Sequence, residues 1–257
     1  MNEIRYDRGQ QDEVSEAQAK WTWFDLILIS IGFGIIFLLG WSLLGILFRS
    51  IGVQIDLGDE PTLAQTLGLA AMETIALVGG VYFFGMRRRN LDWKEIGFKA
   101  IDNRWLLLAI SISLLAIPIT GLITLLVLET LDLPFENPQL EFFLPEGISF
   151  PGALGIMLFG GIAVPFAEEL FFRGVLFAWL RKHWSMWPSL LASAFLFGLV
   201  HFDIAVGVTA FILGIVLGWV YEKSKSLWAP FLIHALNNSL RLLLLYILVA
   251  FGVIPGI

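Results

Sequence analysis

Three short motifs carry the residues that can do chemistry. The first is Ala167-Glu168-Glu169-Leu170-Phe171-Phe172-Arg173, two acids and a base inside an apolar run. On a helix each residue turns by about 100°. Glu169 and Arg173 therefore share a face as an i,i+4 pair, with the acid first, the more stable order. Glu168 points about 100° aside and has no counter-ion on its own helix. It is thus the better candidate for moving a proton. The second motif is Phe197-Gly198-Leu199-Val200-His201, and the third is His234-Ala235-Leu236-Asn237-Asn238. His234 and Asn238 project from one face, and Arg241 falls on the same stripe seven residues on. A carboxylate with an imidazole can deprotonate water. An imidazole N–H and an amide N–H can hold an oxyanion. One Glu and two His can also form an open zinc site that acidifies a bound water. Both chemistries end in hydrolysis of an acyl or peptide bond, and both remain open at this point. The chain has no cysteine, so thiolate catalysis is excluded.

These motifs must be positioned inside a bilayer. Of 257 residues 58% are hydrophobic and 15% charged, and the mean hydropathy is +0.81. Soluble domains average roughly 45–50% apolar and about 25% charged. The net charge of −6 leaves no broad basic surface for nucleic acid. With about 20 apolar residues needed per crossing, seven spans are expected: Trp21–Phe48, Thr62–Met86, Trp105–Leu128, Pro151–Leu180, Trp187–Phe202, Ile204–Tyr221 and Trp228–Phe251. The fifth and sixth are short, and a re-entrant piece is the alternative for one of them. The predicted fold is all-α, a polytopic helix bundle with a polar intramembrane cavity. Residues 1–20 read as a flexible cytoplasmic tail, 21–150 as three spans with loops, and 151–257 as the helical core that holds the motifs. With the N-terminus inside, thirteen of the sixteen Lys and Arg fall in cytoplasmic segments, as the positive-inside rule requires. The acidic stretch from Glu129 to Glu146 then lies outside.

Ionisable groups inside spans are costly and need partners. Glu73 and Arg241 are expected to neutralise each other. Asp25 and Asp203, near span ends, are expected to be hydrated, and His183 to be a solvated loop residue. Pro165, behind Gly160 and Gly161, is expected to kink its helix and free carbonyls. Gly214 and Gly218 have the spacing that lets helices approach closely. One expectation conflicts with a single site. On these boundaries His201 and His234 differ in depth by about 15–20 Å.

Glu168-Glu169-x-x-x-Arg173, Phe197-x-x-x-His201 and His234-x-x-x-Asn238, in that order on separate spans, resemble the CPBP family. This is the CAAX protease and bacteriocin-processing group, also called Abi, which includes the type II CAAX prenyl endopeptidases. The three motifs cover residues 151–245 and show no departure at the signature positions. The HExxH, GxSG and GxGD signatures of other intramembrane proteases are absent. The resemblance implies an intramembrane endopeptidase acting on a membrane-associated protein or peptide, CAAX-type or prenylated substrates included. It implies Glu168 as general base assisted by His201, and His234 with Asn238 as the oxyanion hole. Glu169 and Arg173 would brace the site. If a metal such as zinc is used, Glu168, His201 and His234 would hold it; otherwise there is none. A proton-coupled transporter and a non-catalytic immunity or scaffold protein are the competing readings. A multi-pass protein of the bacterial inner membrane, its N-terminus cytoplasmic, is expected.

Overall fold

The computed structural model describes residues 20–50, 62–133, 143–144 and 149–253. The expected tail and most of the Glu129–Glu146 loop lie outside the described residues. Among the described residues seven helices run in order: α1 Trp23–Ser50, α2 Leu63–Arg89, α3 Asn103–Thr130, α4 Phe150–His183, α5 Met186–Leu199, α6 Ile204–Ser224 and α7 Trp228–Ala250. Six are long and apolar enough to cross a membrane, and α5, with 14 residues, is shorter. No strand occurs among the described residues. The chain is a helical bundle and a multi-pass integral membrane protein.

The outward faces show which solvent the bundle is made for. Leu38, Leu39 and Leu43 of α1 are each about two-thirds exposed. Such faces would form a large apolar patch in water; in a bilayer the acyl chains cover them. Only Asp25, Ile29 and Gly32 of α1 are buried, whereas half of the apolar stretch of α6 is. So α1 is peripheral and α6 central.

Asp25 corrects the expectation of a hydrated side chain. It is fully buried and paired with Arg88 and Arg89 at the end of α2. It also accepts from Thr22 N–H and Oγ1 at 2.8 and 2.6 Å. Two of the three adjacent arginines, Arg88 and Arg89, find their counter-charge in Asp25 across the helix pair. Trp21 Nε1 donates to the Gly174 carbonyl at 2.8 Å, which ties the start of α1 to α4. His183 is exposed, as expected. Asp203 caps α6 by accepting from Val206 N–H at 2.8 Å.

Helix α4 is not regular. It widens into π turns at Phe159–Ala163 and Phe172–Phe177, on either side of the α-helical Val164–Phe171. Such turns often mark functional positions. Pro165 explains the first. Val164 N–H bonds back five residues to the Phe159 carbonyl. The next donor in that register would be Pro165, which has no N–H. The Gly160 carbonyl instead accepts from Asn238 Nδ2 at 3.3 Å, and the Gly161 carbonyl from Ser239 Oγ at 3.4 Å. The freed carbonyls thus bind α7, and a wide turn forms beside Pro165. Glycine is needed at 161 for this approach, since a Cβ there would lie 2.6 Å from Ser239 Oγ.

Helices α5 and α6 form a tight hairpin. Phe202 turns the chain at φ 55°. Gly214 packs on Ala194 and Gly218 on Leu190, so the glycine pair does face a neighbouring helix. A Cβ on Gly198 would sit 2.5 Å from the Gly207 carbonyl oxygen, a backbone atom that cannot swing away. Gly198→Ala is therefore expected to cost about 1–3 kcal/mol. Thermal unfolding of the detergent-solubilised protein measures it, and an unchanged midpoint would show that the hairpin is looser than this.

Candidate active site

The first motif runs from the α-helical Val164–Phe171 into the second π turn, which holds Arg173, where α4 meets α6 and α7. Arg173 Nη1 donates to Glu169 Oε1 at 2.7 Å, and both side chains are 1% exposed. Arg173 Nη2 donates to the Gly214 carbonyl of α6 at 3.2 Å. The guanidinium also lies 4.6 Å from the centre of the Phe197 ring. The in-helix ion pair expected from the spacing is formed, and it is anchored to a second helix.

His234 of α7 reaches both acids. Its Nδ1 is 2.9 Å from Glu169 Oε1 and its Nε2 is 3.6 Å from Glu168 Oε2. Glu169, charge-paired with Arg173, can only accept hydrogen bonds. That assigns the proton of His234 to Nδ1 and turns Nε2 toward Glu168, whatever its own protonation state. Glu169 therefore fixes the tautomer of His234 besides holding Arg173. Its contact with His234 joins residues 65 apart in sequence, and helical spacing carries no signal for it.

Phe197 is the hub that sequence reasoning missed. It entered only as the first residue of its motif. His201 and His234 stand edge-on to its ring at centroid distances of 5.2 and 5.6 Å, so the two imidazoles are at most about 11 Å apart. This removes the depth conflict. At about 1.5 Å per residue, α5 rises roughly 21 Å, short of the ~30 Å hydrocarbon core. His201, just past its end, need not reach the far interface. Its Nδ1 is 2.8 Å from the Phe197 carbonyl oxygen.

The four proposed catalytic residues are not equally close. Glu168 and His234 adjoin, and Asn238 lies one turn along α7, its amide on the Gly160 carbonyl. His201 is held across the Phe197 ring, with no direct bond to Glu168 among the described contacts. No three His, Asp or Glu side chains among the described residues gather as a metal-binding group. The set Glu168, His201 and His234 is thus not arranged as three ligands to one ion.

Glu73 and Arg241 do not neutralise each other. Arg241 Nη2 donates to Thr120 Oγ1 of α3. Glu73, on α2, lies against α4, where its charge acts on Glu168. Opposite charge suggested a pairing, but α2 packs on α1 and α4 whereas Arg241 turns to α3. An apolar groove of about 640 Å³ runs between α2, α4 and α7, lined by Val78, Tyr82, Phe166, Trp228 and Phe231 among others. It passes along α4 within one turn of Glu168.

With this geometry in place, the comparisons with known proteins fall on the same part of the chain. Residues 150–240 match the model of the Rce1-like family, type II CAAX prenyl endopeptidase Rce1-like. The "Putative membrane peptidase YdiL" of Bacillus subtilis (strain 168) is 26% identical over 84 residues, 33% of this chain. The chain spans about a third of the length of that relative. No solved structure matches. Both findings support a CPBP-type family, and they support a membrane protease in general. The matched segment contains all three motifs.

Proposed function

We propose that the chain is an intramembrane endopeptidase in which Glu168 activates a water molecule. The observation that carries this reading is the placement of His234 between two carboxylates, Glu169 on Nδ1 and Glu168 opposite Nε2. A water lodged beside Glu168 and His234 gives its proton to Glu168 and its hydroxyl to a peptide carbonyl. The bare Nε2 of His234 accepts a hydrogen bond from the attacking water, and the Asn238 amide, drawn from Gly160, then holds the oxyanion. Glu168 returns the proton to the leaving amine. His201, across Phe197, assists by orienting the carbonyl or the water. Glu169 and Arg173 keep His234 in the required tautomer.

The substrate is a membrane-associated protein or peptide. The apolar groove beside α4 supports one that carries an isoprenoid or acyl chain. The Lys/Arg distribution supports a cytoplasmic N-terminus. The test is a comparison of protein N-termini in cells expressing the chain or its Glu168→Gln form. New N-termini that vanish with the substitution are expected. Identical N-terminal profiles would overturn the assignment.

A further inference from the structure

Asn237 stands beside the proposed oxyanion donor, at a position that the His234-x-x-x-Asn238 spacing leaves open. Its side chain is buried. Its Nδ2 donates to Asn238 Oδ1 at 3.4 Å, and its own Oδ1 is buried with no hydrogen-bond partner among the described residues. Adjacent helical residues point about 100° apart, so a helix does not form this contact by default. A buried amide left half-satisfied destabilises, where an apolar side chain of the same size would not. Packing alone therefore does not account for an asparagine here. The donors and acceptors around it follow in a fixed order. The Gly160 carbonyl can only accept, so Asn238 meets it with Nδ2, at 3.3 Å. Asn238 Oδ1 is then turned the other way and can only accept. Asn237 meets it with its Nδ2, the side chain's one hydrogen bond among the described residues.

We propose that Asn237 is a positioning residue that keeps the N–H end of the Asn238 amide toward the substrate. This rests on the peptidase reading and adds a residue to its oxyanion hole. Before reaction two contacts hold the Asn238 amide, the Gly160 carbonyl at its Nδ2 and Asn237 at its Oδ1. When Nδ2 leaves Gly160 for the oxyanion, only the contact with Asn237 remains. The last torsion of an asparagine is broad and roughly two-fold, so the amide can turn end for end. A turned Asn238 would present Oδ1, an acceptor, to a developing negative charge. The bond from Asn237 opposes that turn. Asn237 thus acts through Asn238 and not on the substrate itself.

Binding of uncleavable ligands tests this without requiring turnover. The full chain in lipid nanodiscs is exposed to N-palmitoylated peptide libraries in which one amide is replaced. In one library the replacement is a phosphinate, whose charged oxygen stands where the oxyanion forms; in the other it is an uncharged ketomethylene. The phosphinate library is expected to bind about 100-fold more tightly. Asn237→Leu should lower phosphinate binding about tenfold and leave ketomethylene binding unchanged. With Asn238→Ala already in place, Asn237→Leu should change neither, because the two residues act as a unit. A structural role for Asn237 would weaken both libraries alike or persist beside Asn238→Ala, and either result would overturn the proposal. So would equal binding of the two libraries, binding of neither, or a preference that survives Asn237→Leu. If Asn237→Leu does not fold, Asn237→Ala takes its place, and failure of both to fold would make Asn237 a structural residue. Cleavage of ordinary peptides by the unaltered chain scores the peptidase reading separately. Cleavage together with a preference indifferent to Asn237 removes this role alone, and the expected binding pattern without cleavage removes the peptidase alone.

Discussion

Glu168→Gln is expected to lower peptide hydrolysis by about a thousandfold while the protein still folds. Proton transfer by a positioned side chain typically accounts for 10²–10⁴-fold of a rate, roughly. An amide of the same size keeps the packing of Val164–Phe171 but cannot take a proton from water. The effect on stability should be small, because Glu168 makes no ion pair comparable to that of Glu169; its nearest charged neighbour is His234 Nε2 at 3.6 Å. The measurement is single-turnover cleavage of a membrane-presented peptide, run beside thermal unfolding. Full retained activity would remove Glu168 from the mechanism. Joint loss of activity and fold would make it a structural residue.

Arg173→Met should act in the opposite way, on the fold first. It leaves the Glu169 carboxylate buried without a cation and the Gly214 carbonyl without its donor. Breaking a buried pair from one side costs about 3–5 kcal/mol, because an uncompensated charge remains. The double change Glu169→Gln with Arg173→Met removes both charges. It is expected to be more stable than Arg173→Met alone, with a coupling of roughly 1–3 kcal/mol. Activity should not return with stability. The neutral amide that replaces the Glu169 carboxylate no longer fixes the His234 tautomer, and loss of such an orienting partner typically costs about 10–100-fold. Unfolding in detergent measures the first effect and cleavage rate the second. If the double variant is no more stable than the single, the charge of Glu169 is not what Arg173 compensates.

The sequence shows some of this directly. The apolar runs mark the helices within a few residues, since a bilayer demands length and hydropathy and little else. The Glu169–Arg173 pair is legible because it is local, four residues apart on one helix. The role of Glu169 toward His234 is not legible, because it depends on how α7 meets α4. Phe197 is illegible for a related reason: an aromatic in an apolar run reads as core, and only packing shows two imidazoles on its edges. The Glu73–Arg241 pairing failed because opposite charge says nothing about which faces meet. Asp25 failed likewise, as nearness to a span end suggested water where two arginines lie. The depth conflict between the histidines came from drawing the fifth span to Phe202, when the helix ends at Leu199 and the chain reverses.

The central claim is that Glu168 delivers water to a peptide carbonyl. Single-turnover cleavage in H₂¹⁸O by the purified, reconstituted chain tests it most directly. One ¹⁸O in the newly formed carboxylate of the product, with none in Glu168, is the predicted result. Label in the Glu168 carboxylate, or no hydrolysis of any membrane-presented peptide, would contradict it.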